Sequence, residues 1–215
     1  YLKINFKKRI LSKSSTSIEL NGPYEIKPRD ITVASDPSSA AFFIVGALII
    51  PKSIITLKNI ALNKSRIAFI DVLKKMGGKI KVKKTKKVSG EDVGNIQVSY
   101  SLLNAIEIKA SSSPYLIDEY PILSVAASQA KGVTVMRGLS ELRHKESDRI
   151  KSIITNLSKL GFKVISKKDD ISIKGSNEIQ IVKQKKIKTY GDHRIAMSFV
   201  ILSLLYKDKL IIDDE

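Results

Sequence analysis

Apolar and polar positions along the chain alternate between helix-like and strand-like spacing, in a unit that recurs. The unit begins with an acidic residue before an apolar helix. It continues with a strand, an amphipathic helix that ends at glycine, and paired strands. The three copies start at Asp36, Asp118 and Asp192, which lie 82 and 74 residues apart. The third copy reaches only its first strand before residue 215, and we therefore expect the protein to continue beyond this chain.

The pattern predicts the elements of each copy in the same order. In the first copy these are helices over 36–49 and 65–76 and extended segments at 54–60, 79–84, 96–100 and 105–110. In the second copy they are helices over 121–130 and 140–160 and strands at 133–139, 162–166, 170–174 and 179–183. The third copy has a helix from 192 to about 206 and a strand over 210–213. Helices that need sheet faces to cover them predict an α/β (α+β) fold.

The residues before the first copy form a separate part of the pattern. Strands are predicted at 2–6, 17–20 and 31–34, and the breaks at Gly22-Pro23 and Lys27-Pro28-Arg29 predict a domain boundary near residues 28–35. We therefore expect residues 1–30 to be the tail of another domain and residues 31–215 to form one incomplete domain.

Composition narrows the possible functions. The chain has 215 residues, 43% of them hydrophobic, and a formal net charge of +17. No run of residues interleaves aromatic with basic side chains as a nucleic-acid stacking surface requires. We expect solvated lysine faces and some steering of small anions, with a basic nucleic-acid-binding module as the alternative of another class. The chain has no cysteine, which fits a cytoplasmic protein. Its longest apolar run, 40–50, is shorter than the roughly 18 residues of a membrane span.

Charged residues fall on the apolar side of the second helix of the second copy. With Ile153 at the centre of its apolar stripe, Glu146 lies at about +20°, Arg149 at about −40° and Lys145 at about −80°. Charges that continue a buried stripe are costly unless they face a wet cleft. The pattern therefore predicts that Glu146 and Arg149 face a functional cleft. The alternative is an ordinary ion-paired helix, with Glu141 paired to Lys145 and Glu146 to Arg149.

The other residues with chemical potential stand at the starts of the first helices. Asp192 is a good N-cap, and it is followed by His193 and Arg194. A helix N-terminus favours anions, and an arginine there suits the binding of a carboxylate or phosphate. Asp36 and Asp118 hold the same place in their copies, although each is also explained as an acidic N-cap. If the copies pack around a common axis, the three helix starts form one anion-attracting mouth lined by carboxylates.

Four stretches together resemble the 5-enolpyruvylshikimate-3-phosphate synthase family, in particular its glyphosate-tolerant bacterial branch. They are DPSSAAFF at 36–43, IDEYPILSVAA at 117–127, ELRHKESDR at 141–149 and GDHRIAMSF at 191–199. The resemblance implies two domains, each an inside-out α/β barrel of three βαβαββ units, with the active site between them. It also implies transfer of the carboxyvinyl group of phosphoenolpyruvate to the 5-hydroxyl of shikimate 3-phosphate, with release of phosphate, in aromatic amino acid biosynthesis. No metal or organic cofactor is implied.

The resemblance also implies roles for the matching residues. Asp118 matches the carboxylate that holds the sugar-acid hydroxyl and accepts its proton, and Glu146 matches the acid that protonates the methylene carbon of the enol. Arg149 and Arg194 match the pair that clamps phosphoenolpyruvate. Lys145 matches a residue that contacts both the phosphorylated substrate and the reacting centre.

Three further positions and two alternatives complete these expectations. Glu141, where other branches carry Asn, is expected to contact shikimate 3-phosphate, and Asp36 and His193 are expected to support the site. The sister enolpyruvyl transferase that acts on UDP-N-acetylglucosamine is an alternative, although the adjacent lysine and glutamate of the third motif argue against it. The other alternative is an inactive piece with a structural role. Because one domain is missing, we expect no turnover from these residues alone, and we expect the whole enzyme to be a monomer.

Overall fold

The computed structural model describes residues 4–12, 15–28, 30–176, 185–207 and 209–213. Five α-helices lie in this part of the chain: α1 (Pro37–Ile49), α2 (Ala68–Lys75), α3 (Tyr120–Ser128), α4 (Arg149–Lys159) and α5 (His193–Ser203). The strands there are β1 (Lys7–Ile10), β2 (Thr16–Glu19), β3 (Ile54–Ala61), β4 (Lys79–Val88), β5 (Glu91–Ser99), β6 (Glu107–Ile108), β7 (Val133–Met136), β8 (Lys163–Lys167), β9 (Asp170–Lys174), β10 (Lys185–Ile187) and β11 (Leu210–Ile212).

The strands repeat one topology. β3, β5 and β4 lie side by side in an antiparallel sheet, and β7, β9 and β8 repeat this order in a second sheet. β6 pairs with β7 in parallel, and β10 pairs with β11 in the same way. In the first copy, Ser35 forms a parallel bridge to Ile60 of β3. Since α1, α3 and α5 each connect one of these parallel pairs, the first two copies follow the βαβαββ order that the family resemblance implies, and the third shows its first βαβ part.

The helices lie inside and the sheets outside. Every residue of α3 is buried, and so are 11 of the 13 residues of α1. These two helices contact each other and α5, while α1 also contacts β3 and β5, and α3 contacts β9. The amphipathic helices α2 and α4 bury one face each and contact β4 and β8. This arrangement is an inside-out α/β barrel, which confirms the expected fold class.

The helix predicted over 140–160 is wrong in its first half. Residues Ser140–His144 form a short 3-10 turn, Lys145 is extended, and α4 begins only at Arg149. The break occurs because the carboxylate of Asp148 accepts a hydrogen bond from the backbone N–H of Lys151 at 3.0 Å. This capping bond starts a new helix, so residues 145–148 do not share the helical spacing on which the angles were based.

Several strand boundaries also differ from the prediction. Of the strand predicted at 2–6, residues 2 and 3 lie outside the described residues and 4–6 form no strand; the first described strand is β1, and the segment 31–34 forms no strand. β5 begins at Glu91, five residues before the predicted start, because Ser89 and Gly90 both have positive φ and close a two-residue hairpin turn. The strand predicted at 105–110 is reduced to β6 and followed by a 3-10 turn, Ala110–Tyr115. The strand predicted at 179–183 lies outside the described residues.

The residues before α1 contribute one hairpin. β1 and β2 pair in antiparallel, and the apolar side chains of Ile10, Leu11 and Ile18 are more than half exposed. For the part of the chain that the structure describes, no helix combines the length and the hydrophobicity needed to cross a membrane.

Candidate active site

The first residues of α1, α3 and α5 lie together, as the repeat predicts. The hydroxyl of Ser38, in the first turn of α1, donates to Oε1 of Glu119, the N-cap of α3, at 2.6 Å. Nη1 of Arg194, in the first turn of α5, donates to the backbone carbonyl of Asp118 at 3.3 Å. This junction gathers charged side chains from all three copies at helix ends that favour anions.

The carboxylate of Asp118 lies among three cations. Its Oδ1 accepts a hydrogen bond from Nη1 of Arg149 at 3.2 Å and lies 3.9 Å from Nζ of Lys145. Its Oδ2 lies 3.4 Å from Nη2 of Arg194. One interpretation of the sequence made Asp118 the N-cap of α3. This is wrong, because Glu119 takes the N-cap position. With 37% of its side chain exposed, Asp118 can accept a hydrogen bond or a proton from a ligand.

Arg149 is completely buried and contacts three carboxylates. Its Nε donates to Oδ2 of Asp192 at 2.8 Å and its Nη2 to Oε2 of Glu146 at 2.5 Å, in addition to the bond to Asp118. A buried guanidinium costs several kcal/mol unless it is paired, and these carboxylates provide the pairing. Arg149 therefore faces inward as predicted, but from the first position of α4 rather than from the middle of a longer helix.

Asp192 joins α4 to α5. Its Oδ1 accepts from the backbone N–H groups of Arg194 at 2.9 Å and Ile195 at 3.4 Å, and its Oδ2 accepts from Arg149 and from the hydroxyl of Ser147 at 3.2 Å. Burial alone would raise the pKa of Asp192, but the hydrogen bonds and the charge of Arg149, with the two backbone N–H groups, hold that pKa below its usual value. The sequence identified this residue only as a helix cap and missed its contact with Arg149.

Glu146 and Lys145 reach the cluster from the short segment between the 3-10 turn and α4. Half of the Glu146 side chain is exposed, and its carboxylate contacts Arg149. The ion-paired alternative predicted two surface pairs, and the one between Glu146 and Arg149 forms. It is not a surface pair, because Arg149 is buried. Glu141 lies exposed on the preceding 3-10 turn, and no hydrogen bond or ion pair among the described residues joins it to the cluster or to Lys145.

Asp36 and His193 lie at the edge of the junction. Asp36 caps α1, accepting from the backbone N–H of Ser39 at 2.8 Å, and pairs with Nη2 of Arg66 at 2.8 Å. Burial acts to raise the pKa of Asp36, but the hydrogen bonds from Ser39 and the charge of Arg66 lower it overall. His193 is exposed at the first position of α5.

Arg66 is a charged residue that the sequence analysis missed. It stands 30 residues after Asp36, its partner, while Arg149 stands 31 residues after Asp118. Both arginines precede or begin the second helix of their copy, so the two ion pairs occupy equivalent places in the repeat. Aligning the two copies on their acidic residues would have revealed this signal.

No group of His, Asp or Glu side chains in the described residues is arranged to hold a metal ion. The carboxylates of the cluster instead face guanidinium and ammonium groups. The arrangement can bind anions and exchange a proton with a ligand at Asp118 or Glu146.

Similar folds place the chain in a class of enzymes. NikO from Streptomyces tendae, an enolpyruvyl transferase, superposes with a TM-score of 0.69 over 94% of this chain and 44% of that chain. At 16% sequence identity this likeness shows the fold alone. EPSP synthase from Acinetobacter baumannii superposes with a TM-score of 0.88 at 33% identity, over 99% of this chain and 48% of that chain. The fold is thus that of the enolpyruvyl transferases.

Sequence comparison identifies the family within this class. The model of the family described as EPSP synthase (3-phosphoshikimate 1-carboxyvinyltransferase) matches residues 4–215. The 3-phosphoshikimate 1-carboxyvinyltransferase of Sphingopyxis alaskensis is 43% identical over 197 residues, and that of Zymomonas mobilis is 42% identical over 200. Each match covers 92% of this chain and 44% of the relative. The chain belongs to the EPSP synthase family, as its motifs predict, and spans less than half the length of these relatives.

Proposed function

We propose that the protein containing this chain transfers the carboxyvinyl group of phosphoenolpyruvate to the 5-hydroxyl of shikimate 3-phosphate and releases phosphate. The observation that carries this proposal is the position of the Asp118 carboxylate, which has Lys145, Arg149 and Arg194 within 3.9 Å and an open side. Such a site combines a proton acceptor with three cations. The two substrates provide a hydroxyl group and several anionic groups, and family membership supports the same reaction.

In the proposed mechanism, Arg149 and Arg194 bind phosphoenolpyruvate, because a guanidinium fork suits a carboxylate or a phosphate. The N–H groups of Arg149 are already bonded to carboxylates, so the substrate anion would replace an oxygen of Asp118 or Glu146. Arg194, with 17% of its side chain exposed, can turn toward a ligand more freely. Lys145 would contact the shikimate substrate and balance the charge of the adduct.

Two carboxylates would then move the protons. Asp118 would accept the proton of the 5-hydroxyl while the hydroxyl oxygen attacks the central carbon of phosphoenolpyruvate. Glu146 would protonate the methylene carbon. The resulting tetrahedral adduct has a methyl group and still holds its phosphate. Loss of phosphate, with return of a methyl proton to the Glu146 carboxylate, would leave the enol ether product.

The proposal extends to organisation and partners. Residues 1–30 would belong to a second lobe and residues 31–215 to an incomplete first lobe, an arrangement supported by the exposed apolar side chains of β1 and β2. We propose a cytoplasmic monomer that needs no cofactor and binds no nucleic acid. The lysines of β4, which are exposed, would act as solvated charge that attracts anionic substrates.

A hybrid enzyme tests this function. In the hybrid, the 197-residue match in this chain replaces the corresponding 44% of the Sphingopyxis alaskensis relative, and phosphate release is measured with phosphoenolpyruvate and shikimate 3-phosphate. We expect turnover from the hybrid and none from the 215 residues alone. Glu146→Gln should reduce turnover at least about 100-fold. Because the Glu146 side chain is half exposed, losing its charge beside Arg149 should cost no more than about 1 kcal/mol of unfolding free energy.

Glu91→Gln, in the hairpin between β4 and β5, is the matched control and should retain full activity. Full activity of the Glu146→Gln hybrid would contradict the assigned role. Phosphate release with UDP-N-acetylglucosamine in place of shikimate 3-phosphate would instead support the alternative substrate.

A further inference from the structure

Glu119 is a buried carboxylic acid that ordinary helix capping does not explain. It is 5% exposed and stands at the N-cap of α3, yet its side chain makes no capping hydrogen bond to that helix. Its Oε1 instead accepts a hydrogen bond from the hydroxyl of Ser38 in α1, at 2.6 Å. Capping positions favour Ser, Thr, Asp or Asn, whose short side chains reach their own helix. Glu119 therefore serves a contact between helices.

Ser38 uses both hydrogen-bonding functions of its hydroxyl in this contact. It donates to Glu119 and accepts from Nη2 of Arg66 at 3.1 Å, and the same Nη2 also donates to Asp36 at 2.8 Å. These four residues link the start of α1, the segment before α2 and the start of α3. The contacts of Arg66 lie within the first copy, and the bond from Ser38 to Glu119 joins the first copy to the second.

The neighbouring residue, Asp118, belongs to the other cluster. Its backbone carbonyl and its carboxylate both contact Arg194, and its carboxylate also contacts Arg149. The backbone between residues 118 and 119 is therefore held from both sides, by the first copy through Glu119 and by the later copies through Asp118. A change in the Ser38 contact would shift this backbone and with it the Asp118 carboxylate.

Burial makes the charged form of Glu119 costly at this position. Burial raises the pKa of Glu119, and the negative charge of Asp118 adds to this rise. The hydrogen bond from Ser38 and the charges of Arg194 and Arg66 lower the pKa, but the overall shift is upward. An apolar residue would fill a buried position without this cost. The acid is therefore better explained by what it positions than by stability.

We propose that Glu119 is a positioning residue, which fixes the Asp118 carboxylate in place through its hydrogen bond to Ser38. The functional part of this inference rests on the proposed role of Asp118 as the group that accepts the hydroxyl proton. The structural part concerns only the geometry of residues 118 and 119 and stands without it.

The structural part is tested on the 215-residue chain by carbon-13 NMR of its carboxyl groups. Ser38→Ala removes the donor to Glu119 and the acceptor of Arg66, and Nη2 of Arg66 keeps its bond to Asp36. Ser39→Ala is the matched control: its hydroxyl donates to Asp36 at 2.9 Å and is exposed. We expect the carboxyl resonance of Asp118 to move in Ser38→Ala and not in Ser39→Ala. An unmoved Asp118 resonance in Ser38→Ala overturns the proposal.

The functional part is tested in the hybrid enzyme. Ser38→Ala and Glu119→Ala should lower kcat at least about 10-fold through misplacement of Asp118. The KM for phosphoenolpyruvate should stay within about twofold, since that substrate is held by other residues. Glu119→Gln keeps the acceptor oxygen and should stay within about threefold of the unchanged hybrid.

The outcomes of the two parts separate the two proposals. If Glu119→Gln is as slow as Glu119→Ala, or if Ser38→Ala affects kcat no more than Ser39→Ala, the positioning role in catalysis is wrong. If the unchanged hybrid releases no phosphate while the Asp118 resonance moves only in Ser38→Ala, the proposed function fails and the positional link is upheld.

Discussion

Replacement of Asp192 by Asn tests the buried ion pair that joins α4 to α5. The carboxylate of Asp192 is fully buried, 2.8 Å from the equally buried Nε of Arg149. Breaking a buried pair by removing one partner costs about 3–5 kcal/mol. Arg149 keeps its contacts with Asp118 and Glu146, so we expect the lower end of this range, about 3 kcal/mol of unfolding free energy.

The cap function of Asp192 separates two variants. Asn keeps the side-chain oxygen that accepts from the N–H groups of Arg194 and Ile195, so Asp192→Asn removes the charge and not the cap. Asp192→Ala removes both and should cost about 1 kcal/mol more, about 4 kcal/mol in total.

Asp148→Asn provides the matched control. Asp148 caps α4 as Asp192 caps α5, but its side chain is one-third exposed and its pair with Arg143, at 3.3 Å, is similarly exposed. Exposed pairs contribute about 0–1 kcal/mol, so this substitution should cost less than about 1 kcal/mol.

Urea unfolding followed by far-UV circular dichroism measures these differences. The folded-state pKa of Asp192 is lowered, so its contribution to stability is fully present above the ordinary Asp pKa of about 3.9 and is lost as the pH falls through the folded value. The cost of Asp192→Asn should therefore shrink at acidic pH. Equal costs for Asp192→Asn and Asp148→Asn, or a cost that does not change with pH, would refute this reasoning.

Three further substitutions have expected outcomes that stability measurements check. Glu119→Gln should gain stability relative to the wild type as the pH rises above about 4.3, because a raised folded-state pKa means that the stability contributed by the acid is lost as the pH rises through that value. Urea unfolding at pH 4 and pH 8 tests this, and a constant difference would contradict it. Gly46→Ala, within α1, should stabilise by about 0.5–1 kcal/mol, since the added Cβ would lie at an ordinary 3.5 Å from Ile201. Gly175→Ala should destabilise by about 3 kcal/mol, because its Cβ would overlap the backbone oxygen of Ala130. Thermal melts compare these two variants, and similar shifts for both would show that the packing argument is wrong.

Local patterns were sufficient for elements whose ends are marked by nearby residues. The helix that starts after Asp36 and the one that starts after Asp192 begin where the capping pattern predicts, because each cap bonds to N–H groups two or three residues away. The hairpin of β8 and β9 was likewise visible in its alternating positions. The break before α4 was missed because the polar residues 145–148 suit the interior of a helix as well as the turn before one. Only the structure shows that Asp148 is the N-cap of α4.

The sequence by itself determined the order of the elements, the three acidic helix starts and the motifs that mark the family. Only the tertiary structure decided which charges meet. Arg149 bonds to Asp192, 43 residues later in the chain. Glu119 accepts a hydrogen bond from Ser38, 81 residues earlier, instead of capping its own helix. Periodicity and capping arise from bonds between near neighbours and are therefore visible in the order of residues. The pairing of buried charges depends on how helices that are distant in the chain dock against each other, and no local pattern records that.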